Sequence, residues 1–309
     1  FNPKEFNNVI WGVWSSSSEF QRVVNYIEKN NLKVIGFDTQ VKNTSQYVDD
    51  FYDFLEKQDI ILKLDEDDLG IIIENVLENF TIEEDDIEYK VYEKEINRII
   101  QQIEKLDRTE TNYYWKQFAE NLLASSKDAY YNKDEILTTD FGNKNDNIRD
   151  KQMADNLLSY INRNPKEKII CWADNVHIMN DNSSISKPIA KNFISMGFYI
   201  NKKLKDKSYS LATIHANDSI FDYGTGKWEA TSIKSNSFED KLKNKNTSYL
   251  FVTSNQDAMR TKQKTRLLNF IDFTEARLDQ LHDAYILFQH ATLPIVKTIN
   301  DSLEVSIKK

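Results

Sequence analysis

The sequence predicts an α/β fold with a mainly parallel sheet and a helical insertion. The first observation is that a helical pattern runs directly into an apolar strand pattern near residue 30, and again near residue 170. Such alternation is typical of a parallel sheet flanked by helices. The second observation is that residues 44–130 show helical periodicity with almost no strand signal. We therefore expect an α/β core formed by residues 1–43 and 131–309, with residues 44–130 inserted as a lid or wall.

The N-terminal elements follow from capping and periodicity. Serines 15–18 precede Glu19, and apolar residues then recur at helical spacing as far as Ile27, so a helix is predicted up to residues 30 and 31. The segment 33–40, KVIGFDTQ, is predicted to be a strand that ends on Asp38.

The insertion contains four amphipathic patterns, and residues 132–147 follow as a predicted loop. The alternative to a lid or wall is that these helices only stabilise the fold. The four predicted helices cover Tyr47–Leu55, Leu69–Phe80, Ile87–Ile103 and Tyr113–Leu123.

After residue 147 the chain returns to α/β patterns. A helix over 147–162 is stopped at Asn164 and Pro165. The apolar run 169–173 predicts a strand that is covered on both faces. A helix over 188–196, a break at Gly197 and a short helix to Leu204 come next. Further strands are predicted at Tyr209–Ile214, Tyr249–Thr253 and Ala284–Phe288.

Composition excludes several classes of protein. The chain has 309 residues and carries 49 acidic against 40 basic side chains, without a basic arm, which disfavours nucleic-acid binding. No apolar run approaches the roughly 20 residues that span a bilayer. Cys171 is the single cysteine, so intrachain disulfides and cysteine-rich zinc sites are excluded. We expect a cytoplasmic location, although the chain starts at Phe1 without methionine and a missing N-terminus could contain a signal peptide.

The predicted strand at 169–173 leads into Asp174, Asn175 and His177. Ligands of open α/β sheets bind beyond the carboxyl ends of such strands. Asp174 and His177 supply a carboxylate and an imidazole that could share a proton near neutral pH. The alternative is that Asp174 caps the next turn and His177 packs as an ordinary histidine.

A second candidate group lies on the predicted helix 147–162, where Arg149, Met153, Asn156 and Tyr160 share one face. Arg149 needs a partner, and Asp38, Asp174 or a substrate oxygen could serve. The alternative is a surface arginine that is paired with Asp150, Asp155 or water.

Five segments together resemble the erythromycin esterase family: WGVW at 11–14 with Glu19, GFDTQ at 36–40, RDKQMADNLL at 149–158, KIICWADNVHI at 168–178 and SMGFYINKKLKDKSYSL at 195–211. The resemblance covers most of residues 11–215. It implies a three-layer α/β/α core with a helical insertion. It also implies hydrolysis of a small-molecule ester or lactone by a histidine-activated water, without a covalent serine intermediate. We expect no cofactor and no bound metal.

The resemblance carries over residue by residue. His177 matches a family histidine, whereas Asp174 stands where the family has another histidine. The resemblance thus implies that His177 acts as acid or base and that Arg149 and Asn175 bind the oxygen that becomes negative. Asp38, Asp174 and Glu19 would orient the other groups. The implied catalytic residues are His177, Asp174, Glu19 and Asp38, and the implied substrate-binding residues are Arg149, Asn175, Asn156 and Trp14.

One family segment, Gly-Glu-x-x-His-Gly, has no counterpart before residue 11. We therefore expect either a truncated chain or a relative that has lost hydrolysis, and the latter would bind a small molecule or partner without turnover. A third possibility is a metal site formed by Asp174 and His177 with Asp38 or Glu19. The remaining histidines, at 215, 282 and 290, do not replace the absent motif.

Overall fold

The computed structural model describes residues 3, 6, 10, 12–15, 17–41, 44–79, 88–131, 148–187, 193–222, 227–244 and 246–292. The chain divides into two compact units. One consists of Phe1–Gly36 with Thr292–Lys309, and the other of Phe37–Ala291. No helix among the described residues is both long and apolar enough to cross a bilayer.

The first unit contains helices α1 (Gly12–Ser15) and α2 (Ser18–Lys29). The side chain of Ser17 caps α2, because its Oγ accepts the N–H of Phe20 at 3.3 Å. Glu19 lies in the first turn, and its carboxylate accepts hydrogen bonds from the hydroxyls of Ser17 and Ser18. The predicted helix and its serine start are therefore confirmed.

Four long helices of the second unit confirm the four helices predicted from periodicity. Their buried faces form one apolar core, in which the ring centroids of Phe51, Trp115 and Phe118 lie 5.2–5.6 Å apart in tilted and edge-on arrangements. Every side chain of this core lies between residues 41 and 130. The helices are α3 (Thr44–Lys57), α4 (Glu66–Asn79), α5 (Tyr89–Ile103) and α6 (Glu110–Tyr131).

Helices α7 (Ile148–Arg163) and α8 (Met196–Leu204) pack on each other through Met153, Ala154 and Met196. Helix α7 confirms its prediction. The predicted break at Gly197 is wrong, because Ser195 caps α8 through the N–H of Phe198 and Gly197 is the second residue of that helix. Residues 188–192 of the helix predicted before it lie outside the described residues, and residues 193–195 are not helical.

Strands β1 (Leu211–His215), β4 (Tyr249–Thr253) and β7 (Ala284–Phe288) form one sheet in the order β1-β7-β4, which confirms three predicted strands. β1 pairs parallel with β7, whereas β4 pairs antiparallel with it. Two antiparallel pairs were not predicted, and short helices lie between the strands. These elements are β2 (Ser219–Asp222) with β3 (Lys227–Ala230), β5 (Lys262–Thr265) with β6 (Thr274–Arg277), α9 (Phe238–Leu242) and α10 (Leu278–Leu281).

The predicted strands over 33–40 and 169–173 are wrong, because neither segment forms a hydrogen-bonded ladder in the part of the chain that the structure describes. Cys171 and Ala173 pack against the α7–α8 contact. Ile170 and Trp172 point the other way and are 97% and 59% exposed. Successive side chains of the run therefore face opposite sides, as in any extended chain, and only one of the two sides is covered. The four consecutive apolar residues predicted that both sides would be covered.

Candidate active site

His177 and Asp150 form a dyad between a single 3-10 turn, Asn175–Ile178, and the first turn of α7. The Nδ1 atom of His177 lies 2.9 and 3.0 Å from the two carboxylate oxygens of Asp150. A carboxylate only accepts hydrogen bonds, so Nδ1 carries the proton and the lone pair of a neutral ring lies on Nε2. Asp150 is buried, whereas 17% of the His177 side chain is exposed. The ring is thus oriented by a buried carboxylate and keeps some access to solvent.

Asp150 has a second partner that fixes it in place. Its Oδ1 accepts the backbone N–H of Met196, the first residue of α8, at 2.7 Å. A helix N-terminus offers unpaired N–H groups and a favourable dipole to an anion. Asp150 therefore links α7, α8 and the turn that carries His177.

Asp150 is not among the site residues predicted from the sequence. The signal was its position on the buried stripe of α7, three and four residues before Met153 and Ala154. A carboxylate on a buried helix face requires a partner.

Asp174 lies at the start of the turn and points to solvent. Its Oδ1 caps the turn by accepting the N–H of Val176 at 3.2 Å. Its backbone carbonyl accepts the N–H of His177, but the carboxylate that meets the His177 ring belongs to Asp150. The geometry of Asp174 thus agrees with the alternative stated for it above, in which Asp174 caps the next turn.

Arg149, which precedes Asp150 on α7, forms a two-pronged ion pair with Asp38. The Nε and Nη2 atoms of Arg149 lie 2.9 and 2.6 Å from the Oδ1 and Oδ2 atoms of Asp38. Burial lowers the pKa of Arg149, but the hydrogen bonds and charge of Asp38, with further carboxylates nearby, outweigh burial and raise that pKa above its ordinary value. Of the three partners that the sequence allowed for Arg149, the structure selects Asp38. The guanidinium is permanently charged and held in one orientation.

A family model for erythromycin esterase matches residues 2–291. The chain belongs to the erythromycin esterase family. A solved structure of an erythromycin esterase mutant, EreC in its open conformation, is similar with a TM-score of 0.62 and 13% sequence identity, and the match covers 90% of this chain and 74% of that chain. At this identity the likeness shows a shared fold. No curated protein sequence matches the chain significantly.

In this erythromycin esterase family member, Asn175 ties the turn that carries His177 to the sheet. Its side chain is buried, with Nδ2 donating to the carbonyl of Thr213 at 2.7 Å and Oδ1 accepting the N–H of Thr213 at 3.1 Å. Both ends of the amide are thus engaged by β1. This contact fixes the position of the turn relative to β1.

Asn156 is likewise buried and engaged. Its Nδ2 donates to the carbonyl of Phe37 and to Oδ1 of Asn121, both at 2.8 Å, while its Oδ1 accepts from Gln152. These contacts hold the residue before Asp38 against α6 and α7. Asn156 therefore helps to hold Asp38 in position for its ion pair with Arg149.

Glu19 and Trp14 belong to the first unit of this esterase family member. Glu19 is exposed in the first turn of α2, and the Trp14 ring is 41% exposed with its centroid 6.2 Å from that of Phe20. The structure brings together four site residues of the second unit: His177 with Asp150, and Arg149 with Asp38.

No group of three or more histidine, cysteine, aspartate or glutamate side chains could hold a metal ion in the part of the chain that is described. The metal set predicted as a third possibility is not assembled there. A cleft of about 630 Å³ lies elsewhere, between α5 and residues 63–64, and none of the predicted site residues lines it.

Proposed function

We propose that this chain hydrolyses an ester or lactone, with water as the nucleophile and His177 as the general base and acid. The observation that carries the proposal is the His177–Asp150 dyad, in which Nδ1 is fixed by a buried carboxylate and Nε2 has no hydrogen-bond partner among the described residues. Membership of the erythromycin esterase family supports the reaction class. The substrate class proposed is a small molecule.

The proposed reaction follows from this geometry. Water attacks the carbonyl carbon while Nε2 of His177 takes one of its protons, and Asp150 stabilises the imidazolium that forms. The tetrahedral intermediate then expels the alkoxide, which receives the proton back from Nε2. The products are a carboxylic acid and an alcohol, or one hydroxy acid from a lactone.

Arg149 is proposed to stabilise the oxygen that becomes negative. Its Nε and Nη2 are occupied by Asp38, whereas Nη1 makes no hydrogen bond with the described residues and remains a donor. Preorganised donors aimed at a developing oxyanion contribute strongly to catalysis. We propose Asp38, Asn156 and Asn175 as positioning residues. The catalytic roles of Glu19 and Asp174 and the substrate contact of Trp14 stay predictions.

We also propose that the complete sheet has the three-layer α/β/α arrangement with mainly parallel strands, and that residues 44–130 form an insertion that acts as a lid or wall. The parallel pairing of β1 with β7 and the separate core of α3–α6 support this arrangement.

The test measures hydrolysis of a panel of nitrophenyl esters and macrocyclic lactones by the wild type and by three variants. We expect His177→Ala and Asp150→Asn to lower kcat by about 100-fold or more, because general acid–base catalysis contributes about that factor. His290→Ala is the matched control, since His290 is an exposed histidine, and it should keep kcat within about twofold. Intact-protein mass spectrometry during turnover should detect no acyl adduct. An absence of turnover by the wild type across the panel would leave the non-catalytic binding protein as the better account.

A further inference from the structure

We propose that Ser210 and His282 are positioning residues for His177, joined to its turn by an ordered chain of two hydrogen bonds. The proposal rests on the proposed role of His177 as acid and base. Ser210 precedes β1 by one residue and is 9% exposed, and His282 lies between α10 and β7 and is fully buried. Ser210 contacts the turn that carries His177, and His282 contacts Ser210.

The direction of each hydrogen bond is fixed by chemistry. The Oγ atom of Ser210 lies 2.6 Å from the carbonyl oxygen of Ile178 and 2.8 Å from Nδ1 of His282. A carbonyl only accepts, so the single hydroxyl proton of Ser210 is donated to Ile178. Nδ1 of His282 must then carry a proton and donate it to the Ser210 oxygen. His282 is therefore held as the Nδ1–H tautomer.

The surroundings of His282 agree with a neutral ring. Burial lowers the pKa of His282 to about 3, and the ring meets the aromatic ring of Tyr285 edge-on at 5.6 Å. A neutral imidazole donates one hydrogen bond in a fixed direction. It thus orients the Ser210 hydroxyl towards Ile178 at neutral pH.

Further hydrogen bonds fix the position of Ser210 relative to the turn. The N–H of Ser210 donates to Oδ2 of Asp283 at 2.7 Å, and the same oxygen accepts from the side chain of Asn180 at 3.1 Å. The N–H of Asn180 donates to the carbonyl of Leu281 at 2.7 Å. The segments 178–180 and 281–283 are therefore fastened to each other on both sides of the Ser210 hydroxyl.

The consequence for His177 follows from its place in the turn. Asn175 anchors the start of the turn to Thr213, and Ser210 anchors its last residue, Ile178. His177 lies between the two anchors, and its ring must point at Asp150. Loss of the Ser210 hydroxyl frees the peptide between Ile178 and Met179, at the end of the turn, and leaves the buried Nδ1–H of His282 without an acceptor.

The experiment compares Ser210→Ala with Ser254→Ala in the full chain. Ser254 is the matched control, since it is also 9% exposed and its hydroxyl also donates to a backbone carbonyl, that of Asp283, without touching the turn. Imidazole ¹⁵N spectra of histidine-labelled protein report the tautomer and titration of His177, which is assigned with His177→Gln. Ser210→Ala should shift both the His177 resonances and its titration midpoint, and Ser254→Ala should shift neither.

Kinetics on the best ester of the panel give the second readout. Ser210→Ala should lower kcat by about tenfold with KM within about twofold, because misplacing a catalytic group costs rate and not substrate binding. His282→Asn places an amide N–H near the position of Nδ1 and should retain the wild-type kcat. His282→Leu should lower kcat as Ser210→Ala does. This pair of variants carries the comparison if Ser210→Ala does not fold.

Unchanged His177 resonances in Ser210→Ala and His282→Leu would overturn the proposal, as would equal shifts in Ser254→Ala. The spectra decide the positioning role whether or not the protein hydrolyses any ester. The proposed function fails on a different result, namely the absence of turnover by the wild type.

Discussion

Replacement of Gly197 by alanine tests how closely α8 must approach the turn that carries His177. A Cβ atom at residue 197 would lie 2.5 Å from the carbonyl oxygen of Met179 and 2.6 Å from that of Ile178, inside van der Waals contact. These oxygens cannot easily turn away, because each accepts a serine hydroxyl at 2.6 Å, from Ser195 and Ser210 respectively. Helix α8 must therefore move away from these oxygens by about 1 Å, which is the overlap between the added Cβ atom and the two carbonyl oxygens.

The energy of this movement has three parts. Overpacking costs about 1 to 3 kcal/mol. The movement stretches the hydrogen bond from Met196 to Asp150, now 2.7 Å, which is worth about 1 kcal/mol or more because the acceptor is charged. Alanine in a helix gains up to about 1 kcal/mol over glycine. We expect Gly197→Ala to lower the free energy of unfolding by about 1 to 3 kcal/mol.

Urea denaturation followed by circular dichroism measures this change, with Gly70→Ala as the matched control. Gly70 is also helical, and a Cβ there would lie 3.3 Å from the hydroxyl of Tyr52 and 3.9 Å from Cγ1 of Val48, both of which are side-chain atoms. Gly70→Ala should be neutral or stabilising by up to about 1 kcal/mol. Equal stability of the two alanine variants would refute the close approach at Gly197. Gly197→Ala should also reduce ester hydrolysis, since the same carboxylate holds Met196 and His177.

Two further predictions concern charges. Asp38→Asn and Arg149→Gln, analysed with the double variant in a thermodynamic cycle, should give a coupling energy of about 1 kcal/mol, because about a third of each side chain is exposed and solvent screens the pair. A coupling near zero in urea denaturation would contradict the two-pronged geometry. Burial lowers the pKa of His282 from 6.5 to about 3. Between these pH values the unfolded chain binds a proton at this histidine and the folded chain does not, so the free energy of unfolding falls as the pH falls from 6.5 towards 3. His282→Asn should remove about 2 kcal/mol of the loss between pH 7 and pH 5, and an unchanged loss in denaturation at the two pH values would contradict a buried neutral ring.

Periodic local patterns were sufficient to predict the long helices. Phe51 and Ile99 lie on apolar stripes that repeat every three to four residues, and each stripe packs within a core built from neighbouring helices. The strands at Tyr249–Thr253 and Ala284–Phe288 were predicted to the residue. In these elements, local pattern and tertiary packing favour the same structure.

The errors occurred where distant residues decide the structure. The partner of His177 is Asp150, 27 residues earlier, so the nearby Asp174 was chosen instead. The sequence predicts a helix break at Gly197, whereas the structure places Gly197 within α8, where the missing Cβ lets the helix approach Ile178. Ile170 was predicted to be buried, although no described residue covers its side of the segment. The stripe of α7 marks Asp150 as buried but does not show which distant residue it meets, and the approach of Gly197 to Ile178 has no local sequence pattern.

The contact between Asn175 and β1 has a consequence for how copies of this protein behave in solution. Among the described residues, β1 is bonded to β7 on one side only. An open strand edge presents unpaired N–H and C=O groups that can recruit a strand from another molecule and so begin aggregation. Asn175 occupies both groups of Thr213 at the middle of that edge. The side chain that steadies the turn of His177 thus also blocks intermolecular strand addition.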